Sequence, residues 1–209
     1  MNILFFNREY AAQEFGGDTV QMIKTRKYLE IYYDVKVTIG GYKELRENDF
    51  DLVHFFNIRC PQDILAGVRL CVATGIPYVV STIYGSYKEG DYRARTGLQS
   101  LISQFLPENK LEYLKFFVRL LKVGRFTASN YRVLIWGYRR SQLYIVKHAA
   151  ALLPNSDTEK KLVEKKFCAN PSKIFTIVNG YDHETFQKVG NDKRNLDVLC
   201  VAPIESRKG

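Results

Sequence analysis

Short, continuous apolar runs alternate along this chain with longer stretches in which apolar residues recur at helical spacing. The runs cover residues 2–6, 35–39, 50–56, 76–82, 149–154, 174–178 and 196–201. Runs with so few charges are typical of parallel strands buried on both faces, and strands that alternate with helices form doubly wound sheets. The sequence therefore predicts an α/β fold with a Rossmann-like, doubly wound, mainly parallel sheet.

The helical stretches lie between these runs. The first begins at Asp18 or Thr19, with Asp18 as its predicted N-cap, and another covers residues 66–74. Residues 97–148 are helical with breaks near Pro107 and Gly124. A charged helix over residues 157–167 begins with ordinary capping chemistry at Ser156 or Asp157.

Several classes of protein are excluded by what the sequence lacks. The first residues have no basic n-region or cleavage site, and no apolar stretch reaches the roughly 18 residues that span a bilayer. The four cysteines are far apart and have no histidine cluster beside them, so we expect reduced core thiols and no metal. The dinucleotide fingerprint G-x-G-x-x-G is absent, which argues against an NAD or FAD cofactor. We expect a soluble, cytoplasmic protein.

The positive charge is concentrated in one segment. Of a formal charge of +9, most lies between Lys110 and Arg140, which hold eight cations against one anion. One helix there has an apolar face and a basic face, the first formed by Leu111, Leu114, Val118 and Leu121 and the second by Lys115, Arg119 and Lys122. The pattern suits an acceptor site or peripheral contact with an anionic membrane at its inner face, but a core stripe with a solvated basic face is the favoured alternative. Without a recognised nucleic-acid module, we expect no nucleic-acid partner.

Gly16 and Gly17 follow the first strand and precede its helix. Adjacent glycines allow a phosphate to approach the backbone closely, and the helix N-terminus directs unpaired N–H groups at it. A purely structural turn explains the pair equally well.

Four further segments occur in a fixed order and carry a family resemblance. They are D-L-V-H at 51–54, H-A-A-A-L-L-P-N-S at 148–156, P-S-K-I leading to I-V-N-G-Y-D within 171–182, and V-A-P-I-E-S-R-K-G at 201–209. With the early glycine loop, they resemble the retaining nucleotide-sugar glycosyltransferases of the GT-B fold, in the group called family four. The resemblance covers essentially the whole chain.

The resemblance implies two groups of site residues. By this resemblance, the donor diphosphate would be bound by Gly16, Gly17, Arg207 and Lys208, and the two cations would neutralise the leaving group. The crossing into a second domain would be shaped by Asn179, Gly180 and Asp182, for which a tight turn without ligand contact is at least an equal alternative. One departure is that Ala202 and Pro203 stand where the family has Gly-Arg.

No general base is assigned by the resemblance. Two histidines common in the family are replaced, one at or near Tyr84 and Gly85 and the other by Phe56. The remaining catalytic candidates are His54, for which a hydrogen-bonded core histidine is the favoured alternative, and Tyr84, for which a half-buried loop aromatic is an equal one.

The resemblance also implies a division into domains. Residues 1–195 would form the N-terminal, acceptor-side domain, and residues 196–209 the first strand of a truncated donor domain. The whole enzyme would transfer a hexose from a nucleotide-sugar to a glycan or lipid-linked acceptor with retention, while these residues alone would be inactive. The alternative is a non-catalytic Rossmann-like module that binds a nucleotide, a glycan or an anionic membrane, which the missing histidines favour.

Overall fold

The computed structural model describes residues 1–7, 17–85, 108–123 and 128–180. The chain divides into two compact units, residues 1–85 with 109–178 and residues 86–108 with 179–209. The first unit contains the sheet and is described below. The second falls almost entirely outside the described residues.

Five parallel strands form the sheet of the first unit. They are β1 (Asn2–Phe6), β2 (Lys36–Gly40), β3 (Leu52–Phe56), β4 (Tyr78–Ser81) and β5 (Ala151–Leu153). Their order across the sheet is β2-β1-β3-β4-β5. This all-parallel sheet with flanking helices is a Rossmann-like α/β fold, so the predicted fold class is confirmed.

The helices of the described residues connect and cover these strands. They are α1 (Gly17–Tyr32), α2 (Tyr42–Glu47), α3 (Pro61–Thr74), α4 (Glu108–Val123), α5 (Ala128–Trp136), α6 (Tyr138–His148) and α7 (Asp157–Phe167). Among the described helices, none has both the length and the apolar content needed to cross a membrane.

Both faces of the sheet are buried, which explains why the strands are continuous apolar runs. Successive side chains of a strand point to opposite faces. Leu4 and Phe6 of β1 therefore join the larger core with α3 and α6, whereas Ile3 and Phe5 join a smaller core with Met22 of α1. Strands β1 and β3 thus each contribute side chains to both cores.

Several predicted boundaries were wrong. Helix α1 begins at Gly17, so Asp18 lies inside it rather than at its N-cap. Helix α3 begins five residues earlier than predicted, at Pro61, where a proline is well tolerated in the first turn. The predicted strand at 174–178 is reduced to a single bridge between Ile174 and Leu152, although the amides of Phe175 and Ile177 also donate to the β5 segment.

The cysteines also differ from the prediction of core thiols. Cys71 is buried, and burial raises the pKa of its thiol to about 12. Cys60 is half-buried, and Cys168 is exposed at the left-handed end of α7. Cys200 lies outside the described residues. The core prediction thus holds for Cys71 and is wrong for Cys168.

Candidate ligand cleft at the carboxyl edge of the sheet

A small cleft opens where the direction of the sheet connections reverses. The chain leaves β1 for β2 on one side, while β3 lies on the other side of β1. Ligands of open α/β sheets bind at such a switch point, beyond the carboxyl ends of the strands. The cleft is lined by Phe6, Asn7, Thr19, Met22, Phe56, Asn57, Asp63 and Ile64.

Asn57, directly after β3, has an unusual backbone conformation at the carboxyl edge of the sheet. Its φ is 70°, in the left-handed region that Asn tolerates better than most residues. Its amide N–H donates to the carbonyl of Ser81, and its side-chain Oδ1 accepts from the N–H of Arg59 at 3.1 Å. These bonds hold the loop after β3 rigidly, and the side-chain NH₂ is the donor that Asn57 can offer to a ligand.

The loop after β4 is held by a single carboxylate. Glu159 of α7 accepts hydrogen bonds from the Thr82 hydroxyl, from the N–H of Tyr84 at 2.7 Å and from the N–H of Asn155 at 2.9 Å. Between the first two lies Ile83, with φ 42°, which is unfavourable for a β-branched residue. Glu159 therefore ties the loops after β4 and β5 together.

His54 lies in the sheet rather than in the cleft. Its ring is buried, stacks on Phe56 with centroids 4.2 Å apart and meets the edge of Phe5 at 5.0 Å. Its Nε2 shares a 2.9 Å hydrogen bond with Ser81 Oγ. Burial lowers the pKa of His54 from 6.5 to about 3, so the folded protein keeps the ring neutral. This geometry is that of a hydrogen-bonded core histidine.

The buried His54 predicts that stability falls in mild acid. Its folded-state pKa is below its unfolded-state value, so between pH 6.5 and 3 the unfolded chain binds the extra proton. We expect the free energy of unfolding to be about 2 kcal/mol lower at pH 5 than at pH 7.5 because of this group. Urea unfolding across this pH range measures the effect.

Replacement by a residue that does not titrate provides the control. His54→Gln keeps a polar group for Ser81 and should remove most of the loss between pH 7.5 and 5. His148→Gln, at an exposed position, controls for the removal of one histidine. An unchanged pH dependence in His54→Gln would contradict the assignment.

Tyr84 is packed against α7. Its ring is buried and meets the ring of Phe167 edge-on, with centroids 5.1 Å apart. The ammonium of Lys166 lies 5.2 Å from the centroid of Tyr84. The side chain thus belongs to the larger core, and it does not line the cleft.

The predicted phosphate-binding residues are only partly within the described ranges. Gly17 begins α1, the helix that contributes Thr19 and Met22 to the cleft. A Cβ added at Gly17 would meet no atom of the described residues within 4 Å. The predicted residues outside the described ranges are Gly16, Asp182, Arg207 and Lys208.

The two remaining turn residues, Asn179 and Gly180, end the last described range and do not line the cleft. They follow the segment that pairs with β5. Within the described ranges, no three His, Cys, Asp or Glu side chains are grouped so that they could hold a metal ion.

Three residues important to this edge were missed by the sequence analysis. Asn57 and Asp63 were not predicted as site residues, and the start of the helix that contains Glu159 was interpreted only as ordinary capping. A polar residue directly after a buried strand is a signal that could have identified Asn57. Nothing local indicated that Glu159 would reach the loop after β4, 75 residues away.

No known protein family matches this chain, and no curated protein matches it significantly in sequence. The fold and the cleft therefore define the class of protein: a Rossmann-like α/β domain with a candidate ligand site at the switch point of its sheet.

Proposed function

We propose that this chain is the acceptor-side part of a retaining, nucleotide-sugar-dependent glycosyltransferase. The full enzyme would transfer a hexose to a glycan or lipid-linked acceptor. The ordered motifs along the sequence support this proposal, and so does the parallel sheet with its cleft at the switch point.

The lining of the cleft favours a carbohydrate ligand. Asn7, Asn57 and Asp63 offer amide and carboxylate groups, which exchange hydrogen bonds with sugar hydroxyls. Phe6, Phe56 and Met22 form the apolar floor of the cleft and are themselves almost completely buried, so a ligand would mainly meet the polar groups. A carboxylate in the lining disfavours a polyanion, so acceptor hydroxyls fit this cleft better than the donor diphosphate does.

The remaining roles follow from the family resemblance. Arg207 and Lys208 would stabilise the negative charge that develops on the departing diphosphate. Gly17, at the start of α1, would allow the diphosphate to approach the backbone. The buried, neutral His54 supports none of the proton-transfer roles, so we assign no general base.

Binding of the donor tests the proposal. The product of the complete coding region that contains these residues would be titrated calorimetrically with UDP-, GDP- and ADP-sugars, with residues 1–209 alone as the control. We expect one donor class to bind the complete product only. Absence of binding to either protein would contradict the proposal.

Two variants test the cleft within the same enzyme. Asn57→Gly preserves the left-handed backbone but removes the amide, and we expect at least a tenfold loss of kcat/KM for the acceptor with unchanged donor affinity. Asn48→Gly, at the exposed end of α2 and outside the cleft, should retain full activity. Equal activities of the two variants would show that the cleft is not part of the acceptor site.

A non-catalytic binding module is the second candidate. The neutral, buried His54 and the missing family histidines favour it, because they leave the cleft without an identified base. Glycan binding without sugar transfer by the complete product would support this candidate.

A further inference from the structure

Helix α4 has two apolar stripes, and one of them is used for packing. Phe116 and Leu120 are buried in the larger core, where the ring of Phe116 lies 6.0 Å from that of Tyr138. Tyr113, on the same side, donates its hydroxyl to the carbonyl of Leu134 in α5 at 2.8 Å. These residues attach α4 to the fold, so its other face is not needed for the core.

The second stripe faces outward. Leu114, Phe117, Val118 and Leu121 are 39%, 42%, 43% and 58% exposed. Their spacing of three, four and seven residues from the first forms a continuous apolar line over two helical turns. The sequence favoured a core position for Leu114, Val118 and Leu121, and that expectation was wrong, because all three are exposed.

Positive charge accompanies the outward stripe. Lys110 is exposed one turn before Leu114, and helical spacing puts positions 115, 119 and 122 along one edge of the stripe. Between Lys110 and Arg140 the sequence has eight cations against one anion. An apolar line bordered by cations matches the acyl boundary and the anionic headgroups of a bilayer surface.

We propose that α4 is an in-plane docking helix for an anionic lipid bilayer. The outward stripe enters the boundary between headgroups and acyl chains, and the cations remain among the headgroup phosphates. This placement uses apolar and charged residues together. Nucleic acid would use only the cations, and an ordinary protein partner would have no need of so large an excess of positive charge. The proposal does not depend on sugar transfer.

Helix α5 also has exposed apolar side chains next to an exposed cation. Tyr131 and Ile135 are exposed one turn apart, and Arg132 between them is exposed as well. Tyrosine is enriched where membranes meet water, because its ring is apolar and its hydroxyl is polar. Both helices thus carry exposed apolar side chains together with an exposed cation, Lys110 in α4 and Arg132 in α5.

Co-sedimentation of residues 1–209 with vesicles tests the proposal. We expect binding to vesicles of phosphatidylcholine with 30% phosphatidylglycerol, much weaker binding to phosphatidylcholine alone, and a loss of binding as salt is raised. Replacing Lys115, Arg119 and Lys122 by glutamine should lower the partition coefficient roughly 100-fold, since each basic residue contributes about fivefold. Leu121→Gln should lower it about tenfold.

Matched control variants distinguish binding through α4 from a general effect of net charge or exposed apolar surface. Glutamine at Lys160, Lys161 and Lys165 of α7 removes the same charge, and Ile31→Gln removes an apolar side chain that is also 58% exposed. Both controls should bind within about twofold of the original chain. Circular dichroism confirms that each variant is folded.

Three outcomes would overturn the proposal. One is vesicle binding that the α4 variants and the α7 controls reduce equally. Another is a self-associating chain that Leu121→Gln makes monomeric, with no vesicle binding at any salt. The third is binding to a nucleic-acid duplex that depends on the three α4 cations but not on Leu121, again with no vesicle binding.

Discussion

Replacing Glu159 by glutamine is expected to lower the free energy of unfolding by about 3 kcal/mol. The carboxylate accepts from the Thr82 hydroxyl and from the backbone N–H groups of Tyr84 and Asn155. Hydrogen bonds to a charged group each contribute about 1.5–3 kcal/mol. A glutamine has one acceptor oxygen, and its NH₂ would face donors, so at least one N–H loses its partner.

Urea unfolding of Glu159→Gln measures this loss, with Glu164→Gln as the matched control. Glu164 lies on the same helix and makes none of these three contacts, so its replacement should change stability by no more than about 0.5 kcal/mol. Hydrogen exchange should also be faster at Tyr84 and Asn155 in Glu159→Gln only. Equal stability of the two variants would show that the carboxylate does not hold the loops.

Replacing Gly67 by valine is expected to destabilise the protein by a similar amount, about 3 kcal/mol. Gly67 lies in α3 where the helix crosses the sheet. A Cβ at this position would lie 2.7 Å from Cε2 of Phe6 and 2.9 Å from Cε1 of Phe55. Both rings belong to the larger core, so they have little room to move and the helix would have to shift.

Thermal or urea unfolding measures this effect, with Ala73→Val at an exposed position of α3 as the control for helix propensity, expected to cost about 0.5 kcal/mol. A double-mutant cycle of Gly67→Ala with Phe6→Leu should give a coupling of about 1 kcal/mol, because the smaller side chain makes room. If Gly67→Ala alone stabilises the protein by about the 1 kcal/mol that helix propensity predicts, the close approach is not limiting.

The two residues behind these predictions illustrate how much local pattern can reveal. Ser156 Oγ accepts from the N–H of Glu159, so the predicted capping chemistry at this helix start is confirmed. The carboxylate of Glu159, however, also reaches the loop after β4, where Tyr84 lies 75 residues earlier in the chain, and no local pattern encodes that distance. No sequence pattern indicated that Gly67 must be a glycine, because that requirement comes from the rings of Phe6 on β1 and Phe55 on β3.

Helix α4 is a second case in which the sequence pattern did not predict which side chains are buried. Its sequence has apolar residues on most of its circumference, so periodicity predicted a helix but did not select the buried side. The face predicted as a single apolar stripe is exposed at Leu114, Val118 and Leu121, while Phe116 and Leu120 are buried. Only packing against α5 and α6 made that selection, through Tyr113 and Phe116.

By itself, the sequence determined the alternation of strands and helices, the parallel sheet, and elements such as Asn2–Phe6 and Asp157–Phe167, which match their predicted limits. These depend on burial of both strand faces and on capping, which are local in the chain. The six-residue helix α2 was missed, because it is too short for periodicity to register. The cleft, the neutral state of His54 and the outward stripe of α4 were decided by the tertiary structure, because each depends on which distant side chains share a space.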